Sequence, residues 1–128
     1  MTFVNDPIGD LLTRIRNAQA ARREGCAAPW SRIKEELCEV LKREGLLQDV
    51  SVTGEDPKKN LEVTFVPGKK ITLKRVSKPG RRVYSKSSEL RPVLRGYGLN
   101  VLTTSGGLMT DAEARKRKLG GEVLCTIS

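Results

Sequence analysis

The chain is 128 residues long and sets 24 Lys and Arg against 15 Asp and Glu, a formal charge of +9, with 38% hydrophobic and only 4% aromatic residues. That length allows one domain, or two small ones, with a modest core resting on Leu, Ile and Val, and the charge predicts attraction to a polyanion, either nucleic acid or an acidic membrane surface. Cys26, Cys38 and Cys125 form no Cys-x-x-Cys pair and histidine is absent, which supports neither a disulfide framework nor a zinc site and excludes Ser-His-Asp or Cys-His catalysis within the chain.

The membrane reading weakens further, because no apolar run approaches the roughly 18 residues of a spanning helix. The N-terminal MTFVNDPIGD carries an early acid and no signal-peptide apolar region, so a soluble cytoplasmic protein is expected. Asp6 as N-cap and Pro7 at the first helical position open a first helix, with Ile8, Leu11, Leu12 and Ile15 on one stripe. Arg14 and Arg16 flank that stripe and Asn17 lies opposite, which suits either a solvated face or nucleic-acid contact.

Gly25 to Trp30 breaks the helical pattern, and Ser31 then caps a second helix carrying Ile33, Leu37, Val40 and Leu41 and ended by Gly45. Trp30 beside that cap reads first as a hydrophobic staple and second as a base-stacking ring. Arg32 and Lys34 stand in the first turn against the dipole preference, an arrangement that a bound anion would explain, with Glu35 and Glu36 as local counterweights. Leu47 to Thr53 and LEVTFV, with Leu61, Val63 and Phe65 alternating, predict a hairpin over the two helices.

Pro67-Gly68 marks a turn and the expected domain boundary, giving domains 1–67 and 68–128. ITLKRV reads as a strand, Ser77 to Gly80 as a turn, and Arg81-Arg82-Val83-Tyr84 as a basic strand whose tyrosine either stacks on a base or packs in the core. Ser87 to Leu94 predicts a short helix stopped by Gly96, with Tyr97 leaning toward packing, and LNVLTT a strand with Leu99 and Val101 on one face. Ser105-Gly106-Gly107 turns the chain into a capping box at Thr110 to Glu113, a helix of one or two turns ending at Gly120-Gly121, and a last strand EVLCTI.

The segment from Thr103 to Thr126 is the most informative. Thr103, Thr104 and Ser105 supply hydroxyls, Gly106 and Gly107 allow close approach, and Arg115 to Lys118 is a cationic run on one short helix. TTSGGLMT lacks the Gly-Lys-Ser/Thr ending of a P-loop, so a nucleotide-binding or phosphotransferase reading with Asp111 and Glu113 on magnesium is weak, and capping is the commoner role for those acids. A glycine hairpin turn is the plain alternative for the loop, and solvation the plain alternative for the cations.

Asp6-Pro7-Ile8 with Leu12-Thr13-Arg14-Ile15-Arg16-Asn17, Arg75-Val76-Ser77-Lys78-Pro79-Gly80 with Tyr84, and Thr104-Ser105 through Met109-Thr110-Asp111 to Gly120-Gly121-Glu122-Val123 carry a family likeness. Essentially end to end, the chain resembles the bacterial-type small-subunit ribosomal protein eight family, uS8 in the universal nomenclature, also called 30S ribosomal protein S8. The resemblance implies an α+β protein of two small α/β domains, the N-terminal one with two helices on a short sheet and the C-terminal one mainly antiparallel β with short helices. It implies no enzymatic activity and no cofactor. The implied partners are an irregular helix in the central domain of small-subunit (16S) ribosomal RNA, where the platform is assembled, and neighbouring small-subunit proteins. The protein would be a monomer outside the ribosome, and some relatives repress their own operon by binding a similar fold in its messenger RNA.

The family's contact surface lies mostly in its second domain, at the loop that here reads Thr103, Thr104, Ser105, Gly106, Gly107. Thr103 replaces the usual serine and keeps a hydroxyl. Gly106 stands where lysine is frequent, so a phosphate contact there would fall to Lys116 or Arg117, and Asn100 stands where a small apolar residue is usual. Carried onto this chain, Thr104 and Ser105 are expected to hydrogen-bond bases or sugars beside Thr103. Gly107 is expected to permit close approach, Tyr84 to pack on sugar or base, and Gly121 and Glu122 to support the surface. Arg115 and Lys116 would position it on phosphates, and Arg14, Asn17 and Lys34 would reach the RNA backbone from the first domain.

Overall fold

A computed structural model describes residues 6–55, 58–78, 80–86 and 99–127. The chain divides into two compact units, Pro7–Ile71 and Thr72–Ser128, the latter including Asp6. The expected helix at Ser87 to Leu94, its stop at Gly96, and Tyr97 lie outside the described residues.

In the first unit, α1 (Pro7–Ala20) buries Ile8, Leu11, Leu12, Ile15 and Ala18, the stripe that its periodicity predicts. α2 (Arg32–Arg43) starts at Ser31, whose hydroxyl accepts from the Lys34 N–H at 3.3 Å, and buries Leu37, Cys38, Val40 and Leu41. Gly45, at φ +77°, follows its last turn, where the Leu46 N–H reaches back to the Leu41 carbonyl at 2.9 Å. The sheet beside these helices runs in the order β1-β3-β2, all antiparallel, with β2 (Leu47–Thr53) and β3 (Asn60–Phe65) forming the expected hairpin. Leu61, Val63 and Phe65 of β3 are buried while Asn60, Glu62 and Thr64 are exposed, a period of two that marks one covered face.

The segment read from sequence as a pattern break is a strand, β1 (Gly25–Pro29), paired with β3 from Gly25↔Thr64 to Pro29↔Asn60. Gly-Cys-Ala-Ala-Pro has no β-branched or aromatic residue to announce it, so its partner strand specifies it, and proline is tolerated because β1 is an edge. Trp30 is engaged locally: its Nε1 donates to Glu35 Oε1 at 2.7 Å, and the Lys59 ammonium lies 4.8 Å from the ring centroid.

Among its described residues, the second unit is a five-stranded antiparallel sheet carrying one helix. β4 (Leu73–Arg75), β8 (Gly121–Ile127), β6 (Leu99–Thr104) and β7 (Gly107–Thr110) run in that order, and β5 (Tyr84–Ser85) pairs with β8 beyond the end of β4. The strand expected over ITLKRV is thus shorter, but the Val76 and Ser77 N–H groups still donate to Leu124 and Val123 carbonyls at 3.0 and 3.2 Å. Ser77 is fully buried. Its hydroxyl accepts from the Val83 N–H at 2.8 Å and lies 3.2 Å from the Val83 carbonyl, which closes the Lys78–Arg81 turn onto the strand it feeds. Arg75 grips Asp6 through Nη2 to Oδ1 at 2.9 Å and donates from Nη1 to the Leu124 carbonyl at 2.7 Å.

α3 (Asp111–Arg117) begins at Thr110, whose hydroxyl accepts from the Glu113 N–H at 3.3 Å, the predicted cap. It ends earlier than Gly120-Gly121, because Lys118 takes the left-handed conformation at φ 56°, ψ 41°. The Lys118 and Leu119 N–H groups then close on the Arg115 and Ala114 carbonyls, and Leu119 packs against a cluster of Leu102, Met109, Ala114 and Val123.

Cys38 and Cys125 are fully buried, and burial pushes both thiols up to about 12, while Cys26 is half-buried and raised by burial against the lowering influence of Arg14. Because the folded thiols hold their protons well above the ordinary value of 9.0, the stability they support is intact below pH 9 and is lost as pH climbs toward 12. An aromatic disulfide reagent at pH 8 is therefore expected to label Cys26 in the native protein and to reach Cys38 and Cys125 only after unfolding. Fast native labelling of either buried thiol, read by peptide mass, would contradict this packing.

Candidate nucleic-acid interface

One end of the second unit's sheet gathers residues that are far apart in sequence. Antiparallel register sets Tyr84 opposite Glu122, Glu122 opposite Thr103, and Thr103 opposite Leu108, a single row across four strands. The next row is Ser85, Gly121, Thr104 and Gly107. Side chains alternate between faces along a strand, so Thr104 shares the face of Leu102, Met109 and α3, and Thr103, Glu122 and Tyr84 share the other. Tyr84 is 69% exposed, which rules out the core-packing alternative for its ring.

Gly121 makes this alignment possible, since a Cβ there would collide with the Thr103 carbonyl oxygen across the strand pair. Gly107 has nothing within 4 Å of a built Cβ, but its φ of +102° is a conformation that other residues rarely adopt. Glycine at 107 therefore serves the turn.

The three hydroxyls play different parts. Thr104 Oγ1 accepts from the Gly106 N–H at 3.1 Å and donates to the Gly107 carbonyl at 2.9 Å, so it braces the hairpin. Thr104, expected to hydrogen-bond bases or sugars, directs its proton in the free protein to the turn's own backbone. Ser105 is exposed and Thr103 half-buried, and neither hydroxyl has a protein partner among the described residues.

The cations sort the same way. Arg115 Nη1 is bound at 3.0 Å to Asp111 Oδ2, whose other oxygen takes the Asn100 N–H at 3.3 Å, so Arg115 braces α3 and both Asp111 oxygens are engaged within the protein. Asn100 is itself occupied, its Oδ1 accepting from the Thr126 hydroxyl at 2.8 Å. Glu122 is 12% exposed at its side chain and holds Arg82 Nη1 at 3.0 Å, a hydrogen bond that raises the guanidinium above its ordinary value. Lys116 and Arg117 are exposed, with no ion pair among the described residues. No group of three metal-capable side chains occurs among the described residues.

In the first unit Arg14 and Asn17 line a shallow cleft of about 460 Å³ with Arg23 and Cys26. Arg14 also donates to Asp10 Oδ2 at 3.0 Å and to the Ala27 carbonyl at 3.2 Å. Lys34, expected to reach the RNA backbone, is engaged within the protein. Its side chain is 7% exposed, and Nζ is spent on the Pro29 carbonyl at 3.0 Å and on Asp10 at 3.4 Å. Arg32 is likewise paired with Glu36 at 3.0 Å. No outside anion is needed to explain cations in that first turn.

Sequence reasoning missed Ser77 and Arg82 as the parts that hold Tyr84's strand and Glu122 in place. Ser77 sits just ahead of a Pro-Gly turn, where a hydroxyl commonly closes the backbone, and that was the available signal. Arg82 carried none, since its partner lies 40 residues on.

A sheet end that combines internally braced polar groups with unpartnered hydroxyls and exposed cations fits the class of ribonucleoprotein components. A model of the family described as Ribosomal protein S8 matches residues 6–128. The small ribosomal subunit protein uS8 of Thermosynechococcus vestitus is 48% identical, with 97% of this chain and 98% of that protein covered. The uS8 proteins of Rubrobacter xylanophilus and Rhodopirellula baltica are 46% and 47% identical over 97% and 98% of this chain. The chain belongs to the ribosomal protein S8 family.

Gly121→Ala is expected to lower stability by about 1–3 kcal/mol, as overpacking does, while Gly80→Ala, which meets nothing within 4 Å, leaves the urea midpoint unchanged. Lys34→Met should shift stability but leave the salt dependence of any RNA binding as it is, and a lowered salt slope would return Lys34 to the contact surface.

Proposed function

We propose that this chain is a structural, non-catalytic protein of the small ribosomal subunit that binds the central domain of its ribosomal RNA through the β6–β7 hairpin end. The observation that carries this reading is the row Tyr84–Glu122–Thr103 set beside Ser105, with exposed ring and unpartnered hydroxyls, in a chain of formal charge +9 that belongs to the S8 family.

The deep, narrow major groove of A-form RNA keeps side chains out, so a protein reads RNA by shape, phosphates, 2′-hydroxyls and bases displaced from regular pairing. Short hydroxyl side chains on a braced hairpin suit displaced bases and sugars because little rotamer entropy is lost on binding. Thr103 and Ser105 hydrogen-bond base or sugar, and Tyr84 packs on a base or sugar from the same row as Thr103. Thr104, Gly107, Gly121, Glu122 and Arg115 hold the surface in shape, while Lys116 meets phosphate. Arg14 and Asn17 meet the RNA backbone from the first unit, and Lys34 acts from behind through Asp10. The protein works in the cytoplasm, binds as a monomer, and abuts neighbouring small-subunit proteins once the particle forms. A messenger RNA segment that copies the same irregular helix is a second ligand for this surface.

Filter binding to an irregular small-subunit RNA helix and to a regular duplex of equal length tests the reading. Equal affinity for the two at physiological salt would sink it. Ser105→Ala is expected to narrow the preference for the irregular helix, and Lys116→Ala to weaken both ligands alike and reduce the salt slope by about one.

A further inference from the structure

We infer that Arg117, reaching over Gly106, clamps an RNA phosphodiester at the tip of the β6–β7 hairpin; this rests on the RNA-binding reading above and assigns the phosphate contact to one residue. A Cβ built at Gly106 would lie 3.6 Å from Arg117 Nη1, 3.2 Å from Leu119 Cδ1 and 3.4 Å from Met109 Cε. The guanidinium therefore lies within van der Waals reach of position 106, one residue along the chain from Ser105, whose hydroxyl has no protein partner among the described residues.

Helix geometry explains why the role falls to Arg117. Residues three apart on a helix lie on one face, and Ala114, fully buried against Leu102 and Met109, is three before Arg117. The face that packs on the hairpin is thus the face that carries Arg117 to its tip. Lys116 is rotated away by about 100° at 3.6 residues per turn, and Arg115 is already bound to Asp111. The plain alternative is a cation complementing the helix C-terminus. That role is poorly matched here, because the Ala114 and Arg115 carbonyls of the last turn are closed by the Leu119 and Lys118 N–H groups, and Arg117 has no hydrogen bond or ion pair of its own among the described residues.

A planar guanidinium presents paired donors that match two phosphate oxygens, whereas an ammonium acts as a point charge. With Ser105 on the adjacent sugar or base, the tip reads two neighbouring groups of one RNA strand. A Cβ at 106 would touch the guanidinium at 3.6 Å, and the neighbours Leu119 Cδ1 and Met109 Cε are flexible side-chain ends that could yield to a longer residue once Arg117 is shortened.

The test is binding of the full chain to the irregular RNA helix across a salt series. Arg117→Ala is expected to lose about tenfold in affinity and to lower the salt slope by about one, with an unchanged melting temperature because the side chain is exposed. Arg117→Lys keeps the slope but recovers only part of the affinity. Adding Gly106→Lys to Arg117→Ala restores most of the loss, whereas Gly106→Lys alone brings no gain, since the site is filled. If Arg117→Ala binds as the unchanged protein does while the irregular helix is still preferred, the inference falls and the RNA reading stands. An equal loss on Lys118→Ala, with no restoration by Gly106→Lys, would reduce the effect to bulk charge and also overturn it. If the unchanged protein shows no preference for the irregular helix, both fall.

Discussion

The second unit depends on how closely β8 can approach β6. β8 pairs with β6 along one edge and divides its other edge between β4 and β5. At the end where β5 joins, Gly121 lies so near the Thr103 carbonyl that no side chain fits between the strands. Moving the strands apart to admit a methyl group would disturb the ladder that sets Tyr84, Glu122 and Thr103 in one row. Three residues from three segments share a surface because one backbone position carries only hydrogen.

The polar groups of that surface fall into two sets. Thr104, Glu122, Arg115, Asp111 and Ser77 are bonded within the protein, at distances from 2.8 to 3.3 Å, and hold the hairpin, the helix and the β5 strand in place. Thr103, Ser105, Lys116 and Arg117 have no such bonds among the described residues. Under the proposed function the first set lowers the ordering cost of binding, because the hairpin need not be immobilised by the ligand, and the second supplies the interaction itself. A hydroxyl in the chain is therefore not evidence of contact until its own turn has been examined, as adjacent Thr104 and Ser105 demonstrate.

Much of this was legible from the residues. The apolar stripe of α1, the Ser31 and Thr110 caps, the alternation of Leu61, Val63 and Phe65, and the hairpin at Ser105-Gly106 are local patterns, and local patterns survive translation into structure. β1 was hidden because its residues are small and its strand character comes from β3. The burial of Lys34 was not legible, because its partner Asp10 lies 24 residues earlier on α1. Arg117 could be named as a candidate but not chosen over Lys116, since the choice depends on which helix face packs against the hairpin.

Packing around α3 is what distinguishes the two positions. α3 has seven residues, too few for a helix that stands by propensity, and helices below about 12–15 residues are marginal in water. What holds it is the Thr110 cap, the Asp111–Arg115 pair, buried Ala114, and Leu119 folded back into the same cluster. Folding Leu119 back requires Lys118 to take the left-handed conformation, which costs a non-glycine residue about 1–2 kcal/mol. The strain turns the chain immediately after Arg117, so the last helical residue is held on the hairpin side instead of swinging free. The cationic run is thereby divided by geometry into a brace at Arg115, an exposed cation at Lys116, and a guanidinium beside Gly106.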